Sequence, residues 1–178
     1  VITPSNSTLV DEPIKIAGTP TKSSWFNRSG GTNMALTASD ALMVSSNAYM
    51  MKLAMLEGHF NYAPGKSLTM SPTVFNTLRA HFRQFGLGVK TGVDIPGESA
   101  GYEGPSTKSD IGKALDLSFG QYDSYTTIQL AQYMSTVANG GYRLQPRILQ
   151  SIRQTNPDGT LGATEYEAQP KVLNVVPA

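Results

Sequence analysis

The side chains best suited to chemistry in this sequence are Ser45 and Asn47, two residues apart in Val44-Ser45-Ser46-Asn47-Ala48-Tyr49-Met50. A serine hydroxyl both donates and accepts, so it can pass a proton on without itself carrying charge. An asparagine amide can accept from an ammonium and donate to a carbonyl at once, which orients both. In a continuous helix, positions i and i+2 point in different directions, so these two can serve one site only from a tight turn. Ser and Asn are also ordinary cap residues, and on the tripeptide alone helix punctuation is the simpler reading. Lys90-Thr91-Gly92 is the other tempting triplet. It follows Phe85-Gly86-Leu87-Gly88 and runs into Val93-Asp94-Ile95-Pro96, a loop composition rather than a strand.

Composition removes several other chemistries. Fourteen Lys and Arg stand against 13 Asp and Glu, with no basic run, which argues against nucleic-acid binding. There is no cysteine, hence no disulfide and no thiolate. That leaves the redox compartment open, although it suits an exported Gram-positive protein. His59 and His81 lie far apart with no carboxylate at metal-site spacing, so no metal and no cofactor is expected. No apolar stretch approaches the roughly 20 residues that span a bilayer. Val1-Ile2-Thr3-Pro4 has neither the charged start nor the apolar core of a signal peptide, and the missing initiator Met suggests that an upstream part was removed.

The elements that must position Ser45 and Asn47 follow from caps and periodicity. Residues 1–36 read as loop, with one brief strand near Ile14-Lys15-Ile16. Thr37, with Asp40 three residues on, starts a short helix through Ala41, Leu42 and Met43 into the Ser-Ser-Asn turn. A second helix through Tyr49, Met50, Leu53, Ala54 and Leu56 stops at Gly58. Ser71 and Pro72 open a third, whose core stripe is Val74, Phe75, Leu78, Phe82 and Phe85. Residues 89–112 form a long loop. Thr126 with Gln129 caps a further helix through Leu130, Met134 and Val137, closed by Asn139-Gly140-Gly141. Asn156-Pro157-Asp158-Gly159 marks a hairpin, and a short apolar run, Val172 to Val176, ends the chain. Trp25, Tyr122 and Tyr125 are expected to pack as buried or partly buried aromatics, and both histidines to lie at the surface.

Four stretches, in order and at matching spacing, make the chain resemble the transpeptidase domain of class B penicillin-binding proteins. They are Ala41 to Met50, Phe85-Gly86-Leu87-Gly88 with Thr91 to Glu98, Ser118-Phe119-Gly120-Gln121, and Ile128 to Tyr133 running on to Gly141. The resemblance covers about Asp11 to Arg153, and the wording around Ser-Ser-Asn and Phe119 to Thr126 is most like the 2B type of Gram-positive cocci. In that family Ser-x-Asn is the middle of three motifs, between a Ser-x-x-Lys nucleophile and a Lys-Thr/Ser-Gly strand. No serine here is followed three residues later by lysine. The resemblance therefore implies a partial domain over residues 1–178, with the nucleophile segment upstream and the third-motif strand downstream. Lys90 then belongs to the family's Gly-x-x-Thr-Gly-x-Asp loop and is incidental.

The implied fold is α/β, the penicillin-binding transpeptidase or serine β-lactamase-like fold, here mainly its α-helical part with one β-hairpin. The implied activity is D,D-transpeptidation of peptidoglycan stem peptides through a serine acyl-enzyme that β-lactams also form. The fragment alone is expected to be inactive. Ser45 and Asn47 carry the catalytic and substrate-binding roles, Ser45 in a proton relay and Asn47 on the substrate amide and the catalytic lysine. Phe119-Gly120-Gln121 is either scaffold beside the cleft or, through Gln121, a substrate contact. The implied setting is a bacterial cell membrane with this domain on the extracellular face, among the cell-wall synthesis machinery. Missing parts of its own domain, or a second copy, are expected to cover its apolar face, or else that face lies open beside the groove. The alternatives are a non-catalytic module on the same fold, and a β-lactam sensor or serine β-lactamase.

Overall fold

Local signals set most of the helices. Thr37 accepts a hydrogen bond from the Asp40 amide while the Asp40 carboxylate accepts from Thr37, a reciprocal box that opens α1 (Ala38–Met43). Ser46 caps α2 (Asn47–Glu57), which ends at Gly58. The Ser71 hydroxyl accepts from the Thr73 amide at the start of α3 (Thr73–Gln84). A short α4 (Lys113–Leu117), which no sequence signal announced, buries Ala114, Leu115 and Leu117. Thr126 and Gln129 form the expected box at the head of α5 (Thr127–Ala138).

The computed structural model describes residues 2–3, 5–28 and 31–177. The chain divides into two units, Val1–Leu78 with Gly104–Asp123, and Arg79–Glu103 with Ser124–Ala178. In the first, β1 (Leu9–Asp11) pairs antiparallel with β2 (Met34–Leu36), Asp11 opposite Met34. Ile14-Lys15-Ile16 makes only isolated bridges, to Lys22 and Lys66, yet Ile14 and Ile16 are buried. Helix α2 buries Ala48, Tyr49, Met51, Ala54 and Met55, more than one face, so it is the axis of this unit. Leu36, Ala41 and Tyr49 form a cluster against which Leu9, Phe26, Ala38, Val44, Met50 and Leu53 pack. Val74 and Phe75 of the α3 stripe are buried here, with Phe75 tilted against Tyr122 at 5.9 Å.

In the second unit β3 (Tyr142–Leu144) pairs with β6 (Val172–Val175), and β4 (Ser151–Thr155) with β5 (Leu161–Glu167) around the expected Asn156–Gly159 turn. Among the described residues every sheet has two strands. The strand content is thus one expected hairpin plus two short pairings that join residues distant in sequence. Phe85 meets Tyr133 edge-on at 5.6 Å. Helix α5 turns a polar face inward. Leu130, Met134 and Val137 are 47, 59 and 52% exposed, while Gln129, Gln132 and Thr136 are buried. Burying this polar face is tolerable because each of the three side chains donates to a backbone carbonyl, while Gln132 Oε1 stays without a hydrogen-bond partner. Gln129 Nε2 donates to the carbonyls of Val89 and Ala100, Gln132 Nε2 to that of Leu144, and the Thr136 hydroxyl to that of Gln132. Gly86 makes room for this face: its φ is +96°, and a Cβ there would lie 2.1 Å from Gln132 Oε1.

The stem of the β4–β5 hairpin is held by Asp94, whose carboxylate accepts from the amides of Ile148 (2.7 Å) and Leu149 (3.0 Å). Those two bonds, Ile148 first, hold the Asp94 carboxyl below its ordinary value. A depressed folded-state value means the contribution is present above the usual aspartate range and lost as pH falls through the folded value. The Ile148 and Leu149 amide resonances should therefore stay fixed at neutral pH and move together only below the ordinary aspartate range. Asp94→Asn should abolish that titration, and resonances that titrate unchanged in the variant would assign the stem to other groups.

Candidate active site

The turn between α1 and α2 is tight because the chain must leave one helix and enter the next within three residues. Ser45 N donates to Leu42 O and Ser46 N to Ala41 O, closing α1, while Ser45 takes φ +55°, the left-handed region. Serine is uncommon there, and such strain at one residue is a feature of functional turns. The side chains then separate. Ser45 is exposed on the turn, Ser46 is buried as the α2 cap, and Asn47 is half-buried as the first residue of α2. The Ser46 hydroxyl accepts from the Tyr49 amide (3.0 Å) and donates to Asp11 (2.5 Å).

Asn47 and Gln121 line one polar groove of about 470 Å³, together with Lys22, Arg28, Asp116 and Phe119. Lys22 and Asp116 form an ion pair in its wall, and Lys113 lies 3.8 Å from the other Asp116 oxygen. The groove thus carries two amides, two cations and one carboxylate, a set able to orient a peptide carbonyl or carboxylate. Ser45 stands outside its lining. A separate cavity of about 490 Å³, lined by Ile16, Pro20, Leu68 and Ile111, meets the same Lys22–Asp116 pair and holds none of Ser45, Asn47 or Gln121.

Lys90-Thr91-Gly92 lies outside every strand. Thr91 is fully buried, and its amide and hydroxyl donate to Glu98 Oε1 at 2.5 and 2.6 Å while the Gly92 amide donates to Oε2 at 3.0 Å. Burial works against the Glu98 charge, and the Thr91 and Gly92 bonds, with the nearby Lys90 cation, outweigh it and hold the carboxyl below its ordinary value. The triplet is a carboxylate-binding turn that shapes its own loop.

Trp25 corrects an expectation. It is 63% exposed, not packed inside, its indole N–H donating to the Val44 carbonyl (2.9 Å) one residue before Ser45. Its ring meets Phe26 edge-on at 5.6 Å. His59 and His81 are exposed, as expected. Among the described residues no group of three His, Cys, Asp or Glu is placed to hold a metal ion. Sequence reasoning missed Asp11 and Ser24, both fully buried beneath the turn. Each sits in a segment whose composition reads as loop, and only their contacts with α2 mark them out.

The family description "Penicillin binding protein transpeptidase domain" matches residues 2–178. The chain is 43% identical over 172 residues to penicillin-binding protein 2A of Bacillus subtilis, across 96% of this chain and 23% of that protein. It is 38% identical over 173 residues to penicillin-binding protein 2B of Streptococcus pneumoniae R6, across 96% of this chain and 25% of that protein. The solved structure of penicillin-binding protein 2B from strain R6 superposes with a TM-score of 0.89 at 36% identity, over 99% of this chain and 28% of that one. The chain thus spans about a quarter of the length of these relatives.

Proposed function

Because the chain belongs to the penicillin-binding protein transpeptidase family, we propose that it is the helical segment of a D,D-transpeptidase domain that cross-links peptidoglycan stem peptides. In this reading a serine supplied by a segment outside residues 1–178 attacks the penultimate D-Ala carbonyl. The terminal D-Ala leaves, and an amine from a neighbouring strand takes the acyl group and frees the serine. A β-lactam opens on the same serine. Asn47 donates to the substrate amide carbonyl and accepts from the catalytic ammonium, Ser45 passes the proton towards the leaving amine, and Gln121 contacts substrate from the same groove as Asn47. The observation that carries this reading is the α1–α2 turn itself, which exposes Ser45 on a left-handed backbone and starts α2 with Asn47 facing a polar groove.

The apolar stripe of α5 supports the partial-domain reading. Leu130, Met134 and Val137 recur on one face, and burying each would contribute roughly 1.5–3 kcal/mol. The rest of the transpeptidase domain, including the third-motif strand, covers that stripe in this proposal. The enzyme is anchored in the bacterial membrane with this domain outside, working with the cell-wall synthesis machinery. No described helix is long and apolar enough to cross a membrane, so the anchor lies elsewhere in such a protein.

Ser45→Gly tests the role of the turn. Glycine adopts φ +55° freely, whereas a side chain there costs on the order of 1–2 kcal/mol. The melting temperature should hold or rise while the β-lactam acylation rate of the full-length enzyme falls at least tenfold, the low end for losing proton transfer by a positioned group. Unchanged acylation would remove Ser45 from the mechanism.

A further inference from the structure

We propose that Asp11, Ser24 and Ser46 form a buried clamp that sets the position of Asn47, an inference that rests on the transpeptidase reading of the turn. Asn47 is bracketed by it. The residue before and the residue after are each tied, through one hydroxyl, to the same oxygen of Asp11. On one side the Ser46 hydroxyl donates to Asp11 Oδ2 at 2.5 Å and accepts from the Tyr49 amide at 3.0 Å. On the other the Ser24 hydroxyl donates to Asp11 Oδ2 at 2.5 Å and accepts from the Ala48 amide at 3.1 Å. Two of the four N–H groups that an α-helix leaves unpaired at its start thus reach one carboxylate through one hydroxyl each.

The arrangement is more than a cap. A capping serine alone satisfies the helix end, and Ser46 already does so. The carboxylate adds polarisation: each hydroxyl that donates to it becomes a better acceptor for the amide behind, and such chains strengthen cooperatively. Negative charge is also favoured beside a helix N-terminus. Burial sharpens both effects, since Asp11, Ser24 and Ser46 are 0, 0 and 2% exposed.

Asp11 is in turn held by its flanks. Lys52, on α2 itself, donates to the Val10 carbonyl (2.8 Å) and to Glu12 (2.5 Å), gripping the residues on either side. The Tyr49 hydroxyl donates to the Ser7 carbonyl. Strand β1 is thereby fastened to two turns of α2, and the carboxylate has no freedom to follow a wandering helix end. Asn27 Nδ2 donates to the other Asp11 oxygen (3.3 Å) and to the Asp11 carbonyl (3.4 Å), holding the carboxylate from its far side.

The test uses the full-length transpeptidase that carries this chain, with acylation by a chromogenic β-lactam resolved into binding constant, acylation rate and burst amplitude. A merely structural residue lowers the amplitude, the fraction of molecules that react, and leaves the rate of the reacting fraction alone. A positioning residue lowers that rate. Asp11→Asn, Ser24→Ala and Ser46→Ala are expected to slow the acylation step on the order of ten- to a hundredfold at unchanged binding, the scale of a displaced contact. Ser71→Ala, which removes the hydroxyl at the start of α3, should leave the rate unchanged. Should Asp11→Asn fail to fold, the two serine variants, each removing a single hydroxyl, decide the matter. Wild-type rates in both serine variants, with Asn47→Ala still slow, would overturn the clamp and keep the transpeptidase reading. Wild-type rates in Asn47→Ala as well would overturn the reading of the turn itself.

Discussion

The isolated 178-residue chain is expected to form no covalent adduct with a fluorescent penicillin. Acylation of this kind needs a serine made nucleophilic by a neighbouring base, and in this family that base is the lysine one helical turn after it. No serine in the chain has a lysine three residues on. The two buried serines beneath the turn are committed otherwise: Ser24 and Ser46 both donate to Asp11 while accepting helix amides. Ser45 is exposed on the turn and outside the groove that holds Lys22 and Arg28. Intact-mass measurement after incubation checks this directly. An adduct on any serine would mean that the chain carries a complete acylation site of its own, contrary to the partial-domain reading.

The second large effect separates the two triplets. In the full-length enzyme Asn47→Ala is expected to slow β-lactam acylation by about two orders of magnitude or more, the usual consequence of losing a positioned contact to developing charge. Lys90→Ala is expected to leave the rate nearly unchanged. The structural ground is the environment of each. Asn47 faces a groove with Gln121 and two cations. Lys90 is exposed on a loop whose next two residues are spent on Glu98 through three hydrogen bonds. Removing Lys90 deletes one nearby cation from that carboxylate and nothing else the groove uses. The paired second-order acylation constants decide it, and a reversed ranking would place the chemistry at Lys90.

Both effects depend on features of unequal legibility. The two helices around the turn could be read residue by residue, because caps and helical periodicity are local. Thr37 with Asp40, Thr126 with Gln129, and the stop at Gly58 each act over at most four residues, and the structure has all three. The Ser-Ser-Asn turn, its three companion stretches and the hairpin turn at Asn156–Gly159 were legible for the same reason. The strand content was less so. The β1–β2 and β3–β6 pairings join three- or four-residue segments far apart in sequence, too short for alternation to register.

What the sequence determined by itself was four of the five described α-helices, all but α4, the loop character of Lys90-Thr91-Gly92, and the position of Ser45 and Asn47 at a break between helices. Tertiary structure decided which faces those helices bury. The spacing of Leu130, Met134 and Val137 puts them on one face of α5 but does not say which way that face turns. They point outward because Gln129 is held by the loop carbonyls of Val89 and Ala100 and Gln132 by that of Leu144 in β3, bonds that no local pattern encodes. The same holds beneath the turn. Asp11, Ser24 and Ser46 are separated by 13 and 22 residues and converge on one carboxylate oxygen only after β1 has docked on α2. A buried carboxylate is tolerated when its acceptors are filled, and filling them is a property of the packed chain, not of any stretch within it.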